Sequence, residues 1–365
     1  MEQNKLKVCF LISSLKSGGI ETYLLRFLKH QRGNFNATVL IRNYEKGELY
    51  KDYKATGATL IFKPLGYLNP AAMFWYYQFF KARTFDTVCD LNANFAGLPM
   101  LIGKLSGVNK RITFYRQGSD LFKKTVGKQL YNRLMNRLVY KFSTHIFANS
   151  KAGLEFFFPN EYPKDTRFKV IKNGMYVTDY LNHKETKKEV RHRLGLPDNA
   201  YIIGHTGRFT EAKNHFFLLD VVAQFMEQDA SVHLVLIGND TNQLMPYINT
   251  LGIQQKCTVL GYKANIPDYL HAFDLYFFPS ITEGQPNALI EAMLTGLPIA
   301  ASKIPPIEEC VPKERQNCLI NPHNVKTTVE KLRAIKEKPE NYTCQEYAIQ
   351  NYDATVQFNE FMENL

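Results

Sequence analysis

Apolar residues along this chain gather in short runs, separated by polar turns and by longer stretches with helical period. The runs predict strands over 7–13, 37–42, 59–63, 87–91, 111–115, 145–149 and 168–171. A second series follows over 201–206, 232–237, 258–262, 275–279 and 298–301. Helical patterns lie between most of them, and such alternation predicts parallel sheets covered on both faces. The pattern breaks between 175 and 200: Lys172-Asn173-Gly174 reads as a turn, 182–193 is charged and poor in apolar residues, and a new strand starts at Tyr201. Two doubly wound α/β domains are expected, 1–175 and 176–349, with helices over 344–365 carrying Tyr347, Tyr352, Val356, Phe358 and Phe361. A length of 365 residues with 45% apolar content suits two cores.

Charge divides unevenly between these halves. Residues 1–180 carry 28 Lys and Arg against 12 Asp and Glu, net +16; the rest carry 17 against 22, net −5, in keeping with the total of +11. The first half is therefore expected to face something anionic, such as a membrane surface or a charged acceptor. No nucleic-acid-binding module is recognisable, so nucleic acid is not expected as a partner. The six cysteines form no CxxC pair and no spacing matched to histidines, which reads as reduced thiols without a metal framework. Polar residues 1–7 predict no secretory leader, and no run approaches about 18 apolar residues, so a cytoplasmic protein is expected.

The segment 280–296 carries the most chemistry. A buried strand enters a turn with Gly284, and Pro286 falls where a helix begins, a place proline favours because its missing N–H would be unpaired there. The amides around Gly284, Gln285, Asn287 and Ala288 then point out of the positive helix end, a ready anion site. Leu289, Ala292 and Met293 form the buried stripe, while Asn287 and Glu291 share another face. Glu283, in the turn, can accept hydrogen bonds from sugar hydroxyls, and Glu291 from a ribose diol. Taken singly, each glutamate also reads as an ordinary helix-entry or solvated acid. Arg208 follows the strand ending His205-Thr206-Gly207, and Lys213 precedes a helix over 214–225. Two cations at the C-terminal edge of a parallel sheet suit a pyrophosphate leaving group, whose charge grows as its bond breaks. Gly18-Gly19, between the first strand and a helix, lets backbone amides approach a ligand closely, although alone it is often only a tight turn.

The series Glu283-Gly-Gln-Pro-Asn287, Glu291-Ala-Met293 and Gly296-x-Pro298 resembles the E-x7-E signature of retaining GT-B glycosyltransferases of the large bacterial polysaccharide-synthesis family. Further likenesses follow in the family's order: SSLKSGGIE over 13–21, ANSK over 148–151, VIKNG over 170–174 and GRFTEAKN over 207–214. The resemblance implies two facing Rossmann-like domains with an interdomain cleft, the final helix, about 350–365, packing back on the first. It implies a nucleotide-sugar donor in the second domain, a glycan or lipid-linked glycan acceptor in the first, and no metal; the chain contains no Asp-x-Asp. It further implies that the glycine loop closes over the donor sugar and phosphate, and that Tyr262 and Ile266 contact the nucleotide base. Glu283, Arg208 and Lys213 are then the catalytic candidates. A non-catalytic nucleotide-sugar-binding subunit and a sugar-nucleotide epimerase share this architecture and stay open as alternatives.

One departure stands out. Many relatives carry histidines after the fifth strand, where this chain has Arg116, which cannot exchange protons. Arg116 and nearby Asp120 are the acceptor-side candidates. Over 121–154 there is no acid but seven Lys or Arg, and Phe122, Val126, Leu130, Leu134, Leu138 and Phe142 recur every four residues. The stripe is expected to pack on the first sheet, with the basic face contacting an anionic membrane. Trp75 and five other aromatic residues over 71–80 read either as core or as an acceptor or lipid groove.

Overall fold

The computed structural model describes residues 5–66, 68–118, 125–181 and 183–365. The chain divides into two compact units, one formed by Met1–Gly174 with Ala354–Leu365 and the other by Met175–Asp353. Every strand expected from the apolar runs is present within a residue or two at its ends.

The first unit holds β1 (Lys7–Ile12), β2 (Asn36–Ile41), β3 (Thr59–Phe62), β4 (Thr87–Asp90), β5 (Lys110–Tyr115), β6 (His145–Ala148) and β7 (Phe168–Val170). They form one parallel sheet in the order β3-β2-β1-β4-β5-β6-β7. Alternate side chains of β1 serve opposite faces. Cys9 and Leu11 join a cluster with Tyr76, Phe80, Met100, Met135 and Val139. Phe10 turns the other way, with ring centroids 5.9 Å from Phe27 and 6.4 Å from Phe361. Phe361 stands 4.7 Å from Phe27 and 5.4 Å from Phe114, so the last helix, Ala354–Glu363, completes this core. The aromatic stretch forms the helix Pro70–Arg83, whose Ala72, Tyr76 and Phe80 are buried at i, i+4 spacing while Phe74 is 63% exposed.

The apolar stripe departs from expectation. In the helix Val126–Phe142 the buried residues are Met135 and Val139, whereas Val126, Leu130 and Leu134 are 83%, 69% and 47% exposed. At about 100° per residue, a four-residue repeat drifts by about 40° at each step. A stripe that meets the core near Leu138 has therefore turned to solvent three steps earlier. Leu121, Phe122, Lys123 and Lys124 lie outside the described residues.

The second unit holds β8 (Tyr201–Thr206), β9 (Val232–Ile237), β10 (Cys257–Leu260), β11 (Leu275–Phe278), β12 (Ile299–Ser302) and β13 (Leu319–Ile320), all parallel in the order β10-β9-β8-β11-β12-β13. β13 has two residues, too few for a period to show. The charged stretch before Tyr201 is not a bare linker. Thr186 and Glu189 form a capping box on the helix Lys187–Leu194, Val190 is buried, and Arg191 donates to Asp274 at 2.6 Å and to the Ala272 carbonyl at 2.9 Å. All six cysteines are free. Among the described residues no helix is long and apolar enough to cross a membrane.

Candidate active site

In a doubly wound sheet the strand order reverses on either side of the first strand, and ligands bind at the carboxyl ends there. In the second unit that point lies between β8 and β11. Arg208 follows β8 and Glu283 follows β11, so residues 75 positions apart meet the same crevice. The backbones are stitched together by Ile281 N–H donating to the Ala212 carbonyl at 2.9 Å.

A direct ion pair in this crevice joins two of the expected catalytic residues. Lys213 Nζ lies 2.6 Å from Glu283 Oε1 and 4.7 Å from the centroid of the Phe278 ring. Both side chains are largely buried, at 20% and 13% exposure. Lys213 ends a short 3-10 turn, Glu211–Lys213, and Asn214 adopts a left-handed φ of 55° before the helix His215–Gln228. Arg208 is exposed beside it. The loop carrying Arg208 runs tightly against the end of β9. A Cβ on Gly238 would fall 2.0 Å from the Gly207 carbonyl oxygen, so only glycine admits this approach.

The helix after the turn is Asn287–Leu294, with Pro286 as its N-cap rather than its first residue. The amides of Asn287 and Ala288 fall in the first turn, where no intrahelical acceptor precedes them. Gly284, Gln285 and Pro286 are buried, as are Leu289, Ala292 and Met293 on the core side. Glu291 and Glu283 both bear on Tyr276, whose phenol is pushed up first by burial and then by these two carboxylates, against the opposing Thr206 hydrogen bond at 2.7 Å.

Three buried groups around Lys213 had no expected role. His205 Nδ1 bonds to the Phe277 carbonyl at 2.9 Å, and its Nε2 has no partner among the described residues. Its ring stands 4.9 Å from that of His215. Burial drives His205 well below the usual imidazole range, while burial and the Lys213 charge hold His215 down to about 4. Both rings are thus neutral near pH 7, and Arg208 and Lys213 are the cations of the crevice. The Ser280 hydroxyl is also buried without a partner among the described residues. A histidine inside the otherwise apolar run of β8 was the one available sequence signal. No group of three or more His, Cys, Asp or Glu able to hold a metal occurs among the described residues.

Tyr262 and Ile266 follow β10, two strands from β8. Tyr262 is 56% exposed, and Ile266 opens the helix Ile266–Ala272. At about 4.8 Å per strand, roughly 10 Å separates them from the crevice, the scale of a nucleoside.

Gly18, Gly19 and Arg116 belong to the first unit. Gly18 caps the helix Gly19–His30, and a Cβ there would meet Glu21 Oε2 at 2.6 Å. Glu21 is buried and accepts hydrogen bonds from Ser13 and Ser14 at 3.1 and 3.3 Å, so a carboxylate already occupies this helix entrance. Gly19 has open space at its Cβ position. Arg116, the acceptor-side candidate after β5, is largely enclosed within the first unit, and its Nε and Nη1 are buried without a hydrogen-bond partner among the described residues. It is 9% exposed, its guanidinium carbon sits 3.5 Å from the Tyr23 ring centroid, and Nη2 donates to Asn173 Oδ1 at 2.6 Å. Burial brings it down to about 10, with Tyr23 and Glu21 opposing, so it stays charged as a tie between β5, the first helix and Asn173. Asp120 lies outside the described residues. The switch point of this sheet, between β1 and β4, instead opens a hollow of about 330 Å³ lined by Ser13, Arg42, Asn92, Phe95, Leu98 and Tyr131. Arg42 is ion-paired there with buried Asp90.

Two doubly wound parallel sheets, the second with a cation–carboxylate pair at its switch point, give the chain the GT-B fold. Residues 186–351 match the model of the family described as Glycosyl transferases group 1. It is 27% identical over 300 residues to the capsular polysaccharide biosynthesis glycosyltransferase CapH of Staphylococcus aureus, covering 79% of this chain and 78% of CapH. It is 24% identical over 237 residues, 62% of this chain and 60% of the relative, to an Escherichia coli UDP-Gal:alpha-D-GlcNAc-diphosphoundecaprenol alpha-1,3-galactosyltransferase. The fold matches the crystal structure of Anabaena Alr3699/HepE in complex with UDP and glucose at a TM-score of 0.83, with 21% identity over 98% of each chain.

Proposed function

We propose that this glycosyltransferase moves a sugar from a nucleoside-diphosphate sugar to a lipid-linked or polysaccharide acceptor, without metal and with the anomeric configuration retained. The carrying observation is the Lys213–Glu283 pair beside Arg208 at the switch point of the second sheet. The diphosphate would replace Glu283 as a partner of Lys213 and meet Arg208 and the first-turn amides of Asn287 and Ala288. Freed in part from Lys213, Glu283 would accept from donor-sugar hydroxyls, Glu291 from the ribose, and Tyr262 and Ile266 would flank the base. As the bond from the anomeric carbon to the diphosphate oxygen breaks, the acceptor hydroxyl attacks the same face and its proton passes to the leaving diphosphate. Fixed cations oppose most strongly the charge that exists only as that bond breaks. A diphosphate donor is in keeping with UDP and glucose in the HepE structure, and a lipid-linked acceptor with the diphosphoundecaprenol in the name of the Escherichia coli relative.

The test is transfer from UDP-, GDP- and ADP-sugars to diphosphoundecaprenol-linked acceptors in excess EDTA, with the product anomer assigned by proton NMR. One nucleotide family is expected to support transfer at an undiminished rate, with the donor's anomeric configuration. Inversion, or dependence on added metal, would refute the corresponding part of the reading.

The exposed Val126, Leu130 and Leu134 share a helix face with Arg137 and Lys141, the composition of a segment lying on an anionic bilayer. Binding to phosphatidylglycerol-containing vesicles is expected, weakening with salt and falling about tenfold or more in Leu130→Glu. Equal binding to phosphatidylcholine vesicles, or no effect of the substitution, would reject the contact. The site then works at the inner face of the membrane.

A further inference from the structure

The same helix presents a third face that neither the core nor the proposed membrane contact uses. Gln129, Asn132, Arg133 and Asn136 recur at i, i+3, i+4 and i+7, which brings them to one side. With Asn94 and Phe156 they line a hollow of about 280 Å³, just under the usual range of about 300–1,000 Å³ for drug-sized ligands. A space of that size suits one sugar ring rather than a nucleotide or a lipid tail.

A sugar ring there would meet polar atoms whose hydrogen bonds are unmet. Asn94 is 2% exposed; its Nδ2 donates to Asn132 Oδ1 at 3.0 Å, while its own Oδ1 is buried with no partner among the described residues. That is an unmet acceptor, costly to leave unsatisfied. Asn132 is held by its oxygen, which leaves its two Nδ2 protons free of partners among the described residues. Asn136 is locked in place, accepting from the Tyr115 hydroxyl at 2.6 Å and donating to the Phe157 carbonyl at 3.0 Å. The Gln129 side-chain amide and the Arg133 guanidinium make no hydrogen bond or ion pair among the described residues.

A hydroxyl both donates and accepts, and so does an amide side chain, which makes a group of amides a match for a polyol. An anion site would gather cations, but here only Arg133 is charged. Phe156, 48% exposed, offers a ring against which the C–H face of a pyranose can rest. The hollow also adjoins the one at the switch point of the sheet. Asn94 and Asn132 line this hollow while their chain neighbours Phe95 and Tyr131 line the other, and adjacent Cα atoms are about 3.8 Å apart.

We propose that this amide-lined hollow is a subsite for one sugar ring of the acceptor glycan, with Arg133 placed to meet a carboxylate if that unit is a uronic acid. The proposal rests on the reading of the chain as a transferase with a glycan acceptor.

The experiment uses the full chain labelled with 15N, following the side-chain NH₂ signals of Asn132 and Gln129. Lactose, maltose, chitobiose and digalacturonate are titrated separately, with glycerol, uridine and UDP as parallel titrants. At least one disaccharide is expected to move both signals saturably where glycerol does not. Its affinity is expected to fall about fivefold or more in Gln129→Ala and in Phe156→Ala, two exposed positions whose loss should leave the thermal midpoint unchanged. UDP should leave these signals in place while moving the backbone amides of Asn287 and Ala288. No movement with any disaccharide overturns the subsite, as does movement with uridine instead, which would mark a base pocket. Silence of Asn287 and Ala288 toward UDP would count against the donor reading, independently of what the disaccharides do.

Discussion

Lys213→Ala is expected to remove most of the thermal stabilisation that a nucleoside diphosphate confers and to lower kcat by about a hundredfold to a thousandfold. Two effects act in the same direction. The substitution deletes a cation from the point where negative charge grows on the leaving group. It also leaves the Glu283 carboxylate, 2.6 Å away and 13% exposed, without its counter-charge in a crevice meant for a diphosphate. Neither histidine nearby can substitute, because burial keeps both His205 and His215 neutral in the assay range. Arg208→Ala is expected to act in the same sense but less strongly, since Arg208 is exposed and more fully screened. Thermal shifts with UDP, GDP and ADP in EDTA check this directly. An unchanged shift in Lys213→Ala would remove the diphosphate from this crevice.

Glu283→Ala should separate binding from chemistry. Transfer is expected to fall by at least about a hundredfold, while the affinity for the nucleoside diphosphate holds or rises. The sign follows from the ion pair: Glu283 competes with the diphosphate for Lys213, so removing the carboxylate frees the cation. Glu283→Gln, which keeps an acceptor without the charge, should fall between. Calorimetry with UDP and initial transfer rates give the two readouts. The double substitution with Lys213→Ala should cost less than the two single losses combined, as contacting residues do. Transfer by Glu283→Ala at the wild-type rate would show that this carboxylate does not hold the donor sugar.

These expectations began with residues legible in the sequence. Glu283 and Lys213 each stood out beside a strand end, as parts of separate motifs 70 positions apart. Their direct pairing was not legible, because it depends on β8 and β11 being neighbours, which chain order does not state. Arg116 shows the opposite limit. Its place after β5 is that of a cation presented to a ligand, yet Tyr23 from the first helix and Asn173 beyond β7 enclose it. Two remote segments decide its environment, and no local pattern contains them. The pattern over 121–154 predicts an apolar stripe on the sheet and a separate basic face, whereas packing divides the Val126–Phe142 helix into a buried edge, an exposed face that is both apolar and basic, and the amide face over the hollow.

What the sequence by itself determined was local: where strands and helices form, that the sheets are parallel, and that a glycine-bearing turn ends β11 at a helix start. Periodicity, turn residues and helix-end chemistry act over a few residues, so they survive in a one-dimensional reading. Tertiary structure alone decided which side chains are buried, which charges meet and which polar atoms are left unmatched. Those outcomes depend on the order of strands in the sheets and on which helix face meets each sheet, and burial there turns an ordinary lysine, glutamate or asparagine into a group with one defined partner or an unmet need for one.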